Sequence, residues 1–129
     1  MVNFFRHATN AQPTHNTRAA GRHLGRTGDL MKMAFVVHNE HYSKNVIELL
    51  KQCGIDYFTR WDKAVGKGHG TDPHLGSGGF PSTNSVLMIG FEDESALAKL
   101  IAGIEAANAQ IKRPDDKIRL FQLPLERMV

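Results

Sequence analysis

The segment Gly66-Lys67-Gly68-His69-Gly70 carries residue types that can bind an anion. Glycines leave the backbone N–H groups exposed, so such a segment can wrap a phosphate or a carboxylate. Lys67 and His69 add positive charge beside those amides. The spacing matches neither a phosphate loop nor a dinucleotide fingerprint, because both need further residues at fixed positions. The segment indicates an anion site, and the alternative is a flexible solvated connection.

Two histidines of the same region, His69 and His74, have Asp72 between them and could approach a transition metal. Two histidines alone make an incomplete site. His38 and His41, which follow the first predicted strand, could complete the site within an oligomer. The pattern gives a hypothesis of a divalent metal site on His69 and His74, and the alternative is that these are solvated surface histidines.

A basic cluster lies near the C-terminus of the sequence and could face an anionic ligand. Its members are Lys112, Arg113, Lys117 and Arg119. Two aspartates, Asp115 and Asp116, lie within the cluster and neutralise half of its charge. The alternative interpretation is a solvated turn.

Catalytic patterns are not visible in the sequence, and we expect no enzymatic activity. No Ser-His-Asp set, carboxylate pair or metalloprotease pattern stands at a recognisable spacing. Cys53 falls among the apolar positions at the end of a predicted helix, which favours a small buried side chain over a nucleophile.

The elements that must position these residues are predicted from hydrophobic periodicity. Strands are expected over residues 33–37, 56–65, 86–91 and 118–123, with one helix between Ser43 and Gly54 and another after Asp93. Ser43 and Asp93 are the expected N-caps, and Gly54 the expected stop. The order β-α-β-β-α-β predicts an α+β, ferredoxin-like two-layer fold. Residues 66–84, with six glycines and two prolines, form a long loop between the second and third strands, and long loops are usually functional.

Size and charge narrow the class of protein. The 129 residues suit one domain, and no apolar run approaches the roughly 20 residues that span a bilayer. We expect a cytoplasmic protein, since the lone Cys53 fits a reducing compartment.

The net charge of +3 belongs to residues 1–30, with four arginines and one aspartate, whereas residues 31–129 balance 12 basic against 12 acidic side chains. We therefore expect no nucleic-acid partner.

Residues 1–30 show no sustained period and are rich in Arg, Thr, Asn, His and Gly, which predicts a poorly ordered tail. No apolar stretch of signal-peptide length follows Phe4-Phe5, so we expect no secretion. The Arg-rich, acid-poor bias is similar to that of a transit peptide. Met31, however, stands at the edge of the first strand and would itself serve as initiator. We therefore favour a misassigned start, with the folded domain over residues 31–129.

The first and third predicted strands are apolar on both faces, although both helices of this fold cover the same face of the sheet. A bare apolar sheet face usually marks an interaction surface, and another copy in a closed ring is the simplest cover. The alternative is a monomer covered by its own N-terminal tail.

Residues 31–129 resemble the PII-like signalling proteins, which are ferredoxin-like trimers with a long loop between the second and third strands. Three matches carry the resemblance. Met31-Lys32 opens the first strand, and Gly66-Lys67-Gly68-His69 leaves the second. The stretch DKIRLFQLPLE over residues 116–126 is similar to the family's DGKIFVLPVEE.

The resemblance implies a homotrimer that binds a small anionic effector in clefts between subunits, with the base of the loop on one side and the turn before the last strand on the other. The effector reshapes the loop, which engages or releases a target such as a membrane transporter or an enzyme. Lys117 occupies the position of the family lysine that contacts nucleotide phosphates. Residues 111–116 replace the family's glycine turn, so the effector stays open between an adenine nucleotide (ATP, ADP or AMP), bicarbonate and another small anion. The implied ligand-binding residues are Gly66, Lys67, Gly68, His69, Gly70, Lys117 and Arg119.

A more distant similarity, to the CutA-like trimers, implies an alternative function. Those trimers are linked to metal tolerance. The alternative is therefore a metal-binding trimer that uses His69 and His74.

Overall fold

The computed structural model describes residues 31–129, and the tail predicted over residues 1–30 lies outside that part of the chain. Four strands and two α-helices follow one another in the predicted order, which confirms the α+β, ferredoxin-like fold. They are β1 (Lys32–Asn39), α1 (Ser43–Gln52), β2 (Thr59–Ala64), β3 (Asn84–Phe91), α2 (Glu94–Gln110) and β4 (Arg119–Pro124). Short 3-10 turns span Glu40–Tyr42 and Pro114–Asp116.

The strands form one antiparallel sheet in the order β2-β3-β1-β4. β1 and β3 take the two central places, where a strand that is apolar on both faces can be buried on both. Alternate residues of these strands pack with the buried faces of α1 and α2 into one core. Its members include Ala34, Val36, Val46, Leu50, Leu87, Ile89, Phe91, Leu97, Leu100 and Ile104.

Two of the three residues predicted to begin or end a helix have that role in the structure. Asp93 caps α2, since its carboxylate accepts from the Ser95 backbone N–H at 2.8 Å. Gly54 ends α1 with a φ of +73°, a left-handed conformation that glycine adopts without steric cost. The prediction that Ser43 caps α1 was wrong. Asn39 caps the preceding 3-10 turn by accepting from the His41 N–H, and Ser43 is the first residue of the helix.

β2 is shorter than the predicted strand over residues 56–65. Its pairing with β3 is regular from Thr59 to Trp61 and then shifts before Ala64. Lys63 lies in this irregularity with a φ of +58°, and its backbone N–H donates to the Glu40 carboxylate instead of to the sheet. The alternating pattern therefore predicts the right strand but misses the irregularity within it.

The long loop between β2 and β3 is present and closes on its own base. Gly66 and His74 exchange two backbone hydrogen bonds, of 2.9 and 2.7 Å. Ser77 and Phe80 exchange a second pair further out. His74 of this loop is buried, with only 7% of its surface exposed.

The sheet face opposite the helices is not covered by residues 31–129. In the strand register Phe35 lies opposite Met88 on one side and Phe121 on the other, and all three are apolar. Trp61, Phe121 and Leu123 are exposed on their strands. None of the helices described is both long enough and apolar enough to cross a membrane.

The start of the described chain lies beside Leu125, four residues before its end. Lys32 at the start of β1 pairs with Pro124 at the end of β4, and the Leu125 N–H donates to the Met31 carbonyl. This is the end of the sheet opposite to the one at which β1 finishes and β4 begins.

Candidate functional site

A cleft of about 550 Å³ opens at the end of the sheet where β1 and β2 finish and β3 and β4 begin. The antiparallel register brings these four strand ends together, because Asn39 pairs with Asn84, Ala64 also pairs with Asn84, and Val37 pairs with Arg119. The volume lies within the range of small-molecule sites in proteins.

Six of the seven predicted ligand-binding residues line this one cleft. They are Gly66, Lys67, Gly68, His69, Lys117 and Arg119. Gly70 is not in the lining, although it holds a φ of +70° in the same loop. The structure therefore brings together the base of the loop and the turn before β4, which lie about 50 residues apart in the sequence.

Backbone donors of the loop base face solvent. The Gly66 N–H is committed to His74, whereas the N–H groups of Lys67, Gly68 and His69 have no acceptor within residues 31–129. The Gly68 carbonyl accepts from both the backbone N–H and the hydroxyl of Thr71, which fixes the turn that presents these amides. A Cβ at position 68 would lie 2.8 Å from the Thr71 hydroxyl, so a larger residue there would force the Thr71 side chain to move and would disturb its hydrogen bond to the Gly68 carbonyl.

Positive charge in the cleft is distributed unevenly. Lys67, Lys117 and Arg119 have no carboxylate within 4.0 Å in the part of the chain that the structure describes. Arg113, the cation of the predicted basic cluster nearest the aspartates, is instead paired with three of them, at 3.0 to 3.9 Å. Three cations that line the cleft are thus available to an anion, whereas Arg113, which is outside the lining, is already neutralised.

His74 forms the inner wall of the cleft and is held by side chains that the sequence did not single out. Its Nδ1 lies 2.6 Å from the Asn84 Oδ1, and its Nε2 lies 3.9 Å from the Asp116 Oδ1. Asn39 donates to the same Asp116 oxygen at 3.2 Å. The positions of Asn39 and Asn84 could have identified them from the sequence. Each is a polar residue at one end of a strand, and the two residues pair with each other in the sheet.

Among the described residues, the group of three side chains that could hold a metal ion contains His74 but not His69, the other predicted ligand. His74 lies instead with Asp115 and Asp116, and the ligand atoms of these three residues are all within 4.8 Å of one another. His38 and His41 do not extend the group: the His38 Nε2 contacts the Ser43 hydroxyl at 3.2 Å, and the His41 ring stacks edge-on against Tyr42.

Comparisons with known proteins identify the fold through solved structures. No family model matches the chain, and no curated protein matches its sequence. Solved structures of CPII from Thiomonas intermedia K12 do match. CPII bound to ADP and bicarbonate has a TM-score of 0.56 and 13% identity over 75% of this chain and 89% of its own.

A second structure of CPII, described as a nitrogen regulatory PII-like protein bound to ADP, AMP and bicarbonate, has a TM-score of 0.52. Its identity is 14%, over 77% of this chain and 96% of its own. The chain therefore has the fold of the PII-like proteins, and the resemblance recognised in the sequence is confirmed at the level of the fold.

Proposed function

We propose that this chain is a PII-like regulatory protein that binds a small anionic effector, an adenine nucleotide or bicarbonate, in the cleft at the loop base. The observation that supports it most directly is that Lys67, Lys117 and Arg119 line one cleft with the loop-base amides. Within residues 31–129, none of these three cations pairs with a carboxylate, and the amides of Lys67, Gly68 and His69 have no acceptor. CPII, which shares this fold, has been solved with ADP and bicarbonate bound. An adenine nucleotide and bicarbonate are both anions that such a cleft suits.

The proposed protein is a homotrimer, and its output is the loop between β2 and β3. Sister protomers would cover the helix-free sheet face and complete each cleft from the far side. An effector that engages the Lys67 and Gly68 amides would change the loop between the Gly66–His74 bridge and β3, and the loop would engage or release a target enzyme or transporter. The proposed role is regulation without turnover of the ligand.

Calorimetric titration with ATP, ADP, AMP and bicarbonate tests this proposal. We expect Lys117→Ala to weaken the binding of a phosphorylated effector about tenfold to a hundredfold, the effect of one charge-assisted hydrogen bond. Lys112→Ala is the matched control, because Lys112 carries the same charge five residues earlier and does not line the cleft.

The two variants separate a specific contact from general electrostatics. Equal weakening by Lys112→Ala and Lys117→Ala would mean that only the net charge of the region matters. Absence of heat and of thermal stabilisation with all four effectors would count against the proposed function as a whole.

A further inference from the structure

We propose that His74, Asp115 and Asp116 form a binding site for one divalent transition-metal ion of the zinc or cobalt type, on the inner wall of the cleft. The three side chains come from the loop and from the 3-10 turn before β4, and each offers a ligand atom to the same small volume. The site stands on its own geometry and does not depend on the proposed nucleotide or bicarbonate.

His74 presents the correct nitrogen for a metal. The Asn84 oxygen, 2.6 Å from Nδ1, can only accept a hydrogen bond, so Nδ1 carries the proton and the lone pair of the neutral ring lies on Nε2. Nε2 makes no hydrogen bond within residues 31–129, since Asp116 at 3.9 Å is too far away. A buried imidazole with one nitrogen held by an oxygen and the other directed at carboxylates is the usual arrangement of a metal-ligating histidine.

Negative charge around Nε2 exceeds the positive charge that balances it. The side chains of Asp115 and Asp116 are only 12% and 17% exposed. Arg113 pairs with both of them and also with Asp72, so one guanidinium serves three carboxylates. One positive and three negative charges leave a net charge of −2 in this group of four side chains. The Arg113 side chain is 66% exposed, so it can move into solvent when a divalent cation binds the carboxylates.

The ligand set decides the class of ion. One imidazole nitrogen and two carboxylate oxygens suit zinc or cobalt, whereas the absence of a thiolate from this group disfavours copper(I). With bonds of about 2.0–2.1 Å, tetrahedral ligand atoms lie about 3.4 Å apart, so the three atoms need to close by at most about 1.4 Å. Three protein ligands leave a coordination position open toward the cleft.

Titration of the full chain with Co²⁺, followed by its visible absorption bands, tests the site, and competition with a chromophoric chelator gives the Zn²⁺ affinity. Because His7, His15 and His23 also occur in the chain, the measurement compares variants instead of counting ions in one protein. We expect His74→Ala to abolish the high-affinity ion and its spectrum. His69→Ala is the matched control, since His69 lies in the same loop outside the group, and it should leave both unchanged.

Asp115→Asn keeps the shape of the side chain and guards against a loop that fails to form in His74→Ala. It should lower Co²⁺ affinity at least tenfold, with an unchanged circular dichroism spectrum. Equal affinity and identical spectra in the wild type, His74→Ala and Asp115→Asn would overturn the proposal. So would a loss in His69→Ala as large as that in His74→Ala.

Arg113 provides a test with the opposite sign. If its guanidinium occupies the place of the metal, Arg113→Gln removes a competitor and should raise Co²⁺ affinity several-fold. Unchanged or weaker binding in Arg113→Gln would contradict this arrangement of charges. All titrations use the metal alone, so a failed effector titration and a failed metal titration are separate results.

Discussion

His38, at the end of β1, is almost fully buried, and its Nδ1 has no hydrogen-bond partner within the described residues. Its other ring nitrogen, Nε2, contacts the Ser43 hydroxyl at 3.2 Å. Burial lowers the pKa of His38 from 6.5 to about 4, and the nearby Arg60 charge acts in the same direction. The carboxylates of Asp62 and Glu40 oppose these effects without cancelling them. The neutral ring is therefore part of the folded state.

This lowered pKa predicts a pH-dependent stability. Between about pH 6.5 and pH 4 the unfolded chain binds a proton at this position that the folded chain does not, so stability falls as the pH falls through that window. The loss attributable to His38 should be about 2 kcal/mol between about pH 7.5 and pH 5. Urea unfolding at the two pH values measures it.

Variants assign the effect to His38. The pH dependence should shrink by about that amount in His38→Gln and stay unchanged in His41→Gln, whose histidine is exposed. The same slope in the wild type and in His38→Gln would show that other groups cause the acid sensitivity.

At the residue scale, the sequence predicted the lining of the cleft better than its contacts. The glycines and the lysines could be recognised because their chemistry lies in the residue type itself. The partners of His74 could not, because Asn84 and Asp116 become its neighbours only when β3 and the turn before β4 meet in the sheet. The same limit explains why the sequence named His69 as the companion of His74 and not Asp115 or Asp116, which lie about 40 residues further along the chain.

At the scale of the elements, α1 and α2 approach each other closely at Gly103. A Cβ at this position would overlap the Leu49 Cδ1 and lie 3.2 Å from its Cγ. Gly103→Ala should therefore gain about 1 kcal/mol of helix propensity in a Leu49→Ala background but lose that gain in the wild type, where Leu49 must shift. A double-mutant cycle of unfolding free energies measures the coupling, and additivity of the two changes would show that the helices do not touch there.

The elements themselves were largely predictable, and the exceptions have local causes. The continuous apolar strands and the Asp93 cap depend on neighbours in sequence, so the pattern reveals them. Two features depend on the Glu40–Tyr42 turn, which no periodicity marks. Ser43 does not cap α1 because the turn directly precedes it, and the pairing of β2 is irregular at Lys63, where the Glu40 carboxylate accepts from the Lys63 N–H.

At the scale of the whole molecule, the helix-free sheet face is the surface on which the proposed trimer depends. Phe121 is exposed on that face, on the edge strand β4 and beside Phe35 of the central strand β1. In the proposed trimer a charge there would be buried without a partner, so Phe121→Glu should convert the trimer into monomers. Sedimentation velocity distinguishes the two species.

Gln122 offers a control for this change. Gln122→Glu introduces the same charge one residue further along β4, where the side chain points to the other face of the sheet. It should leave the trimer intact. A wild-type protein that sediments as a monomer across working concentrations would remove the basis for clefts shared between subunits.

The pairing of Lys32 with Pro124 has a practical consequence for anyone who handles the protein. Met31 and Leu125 both lie at the end of the sheet remote from the cleft. A dye, a surface anchor or a fused reporter joined at either position would leave the mouth of the cleft open to the surrounding solution. A short linker between residues 31 and 125 would also allow a circular permutant, with new chain ends in another loop and the same sheet.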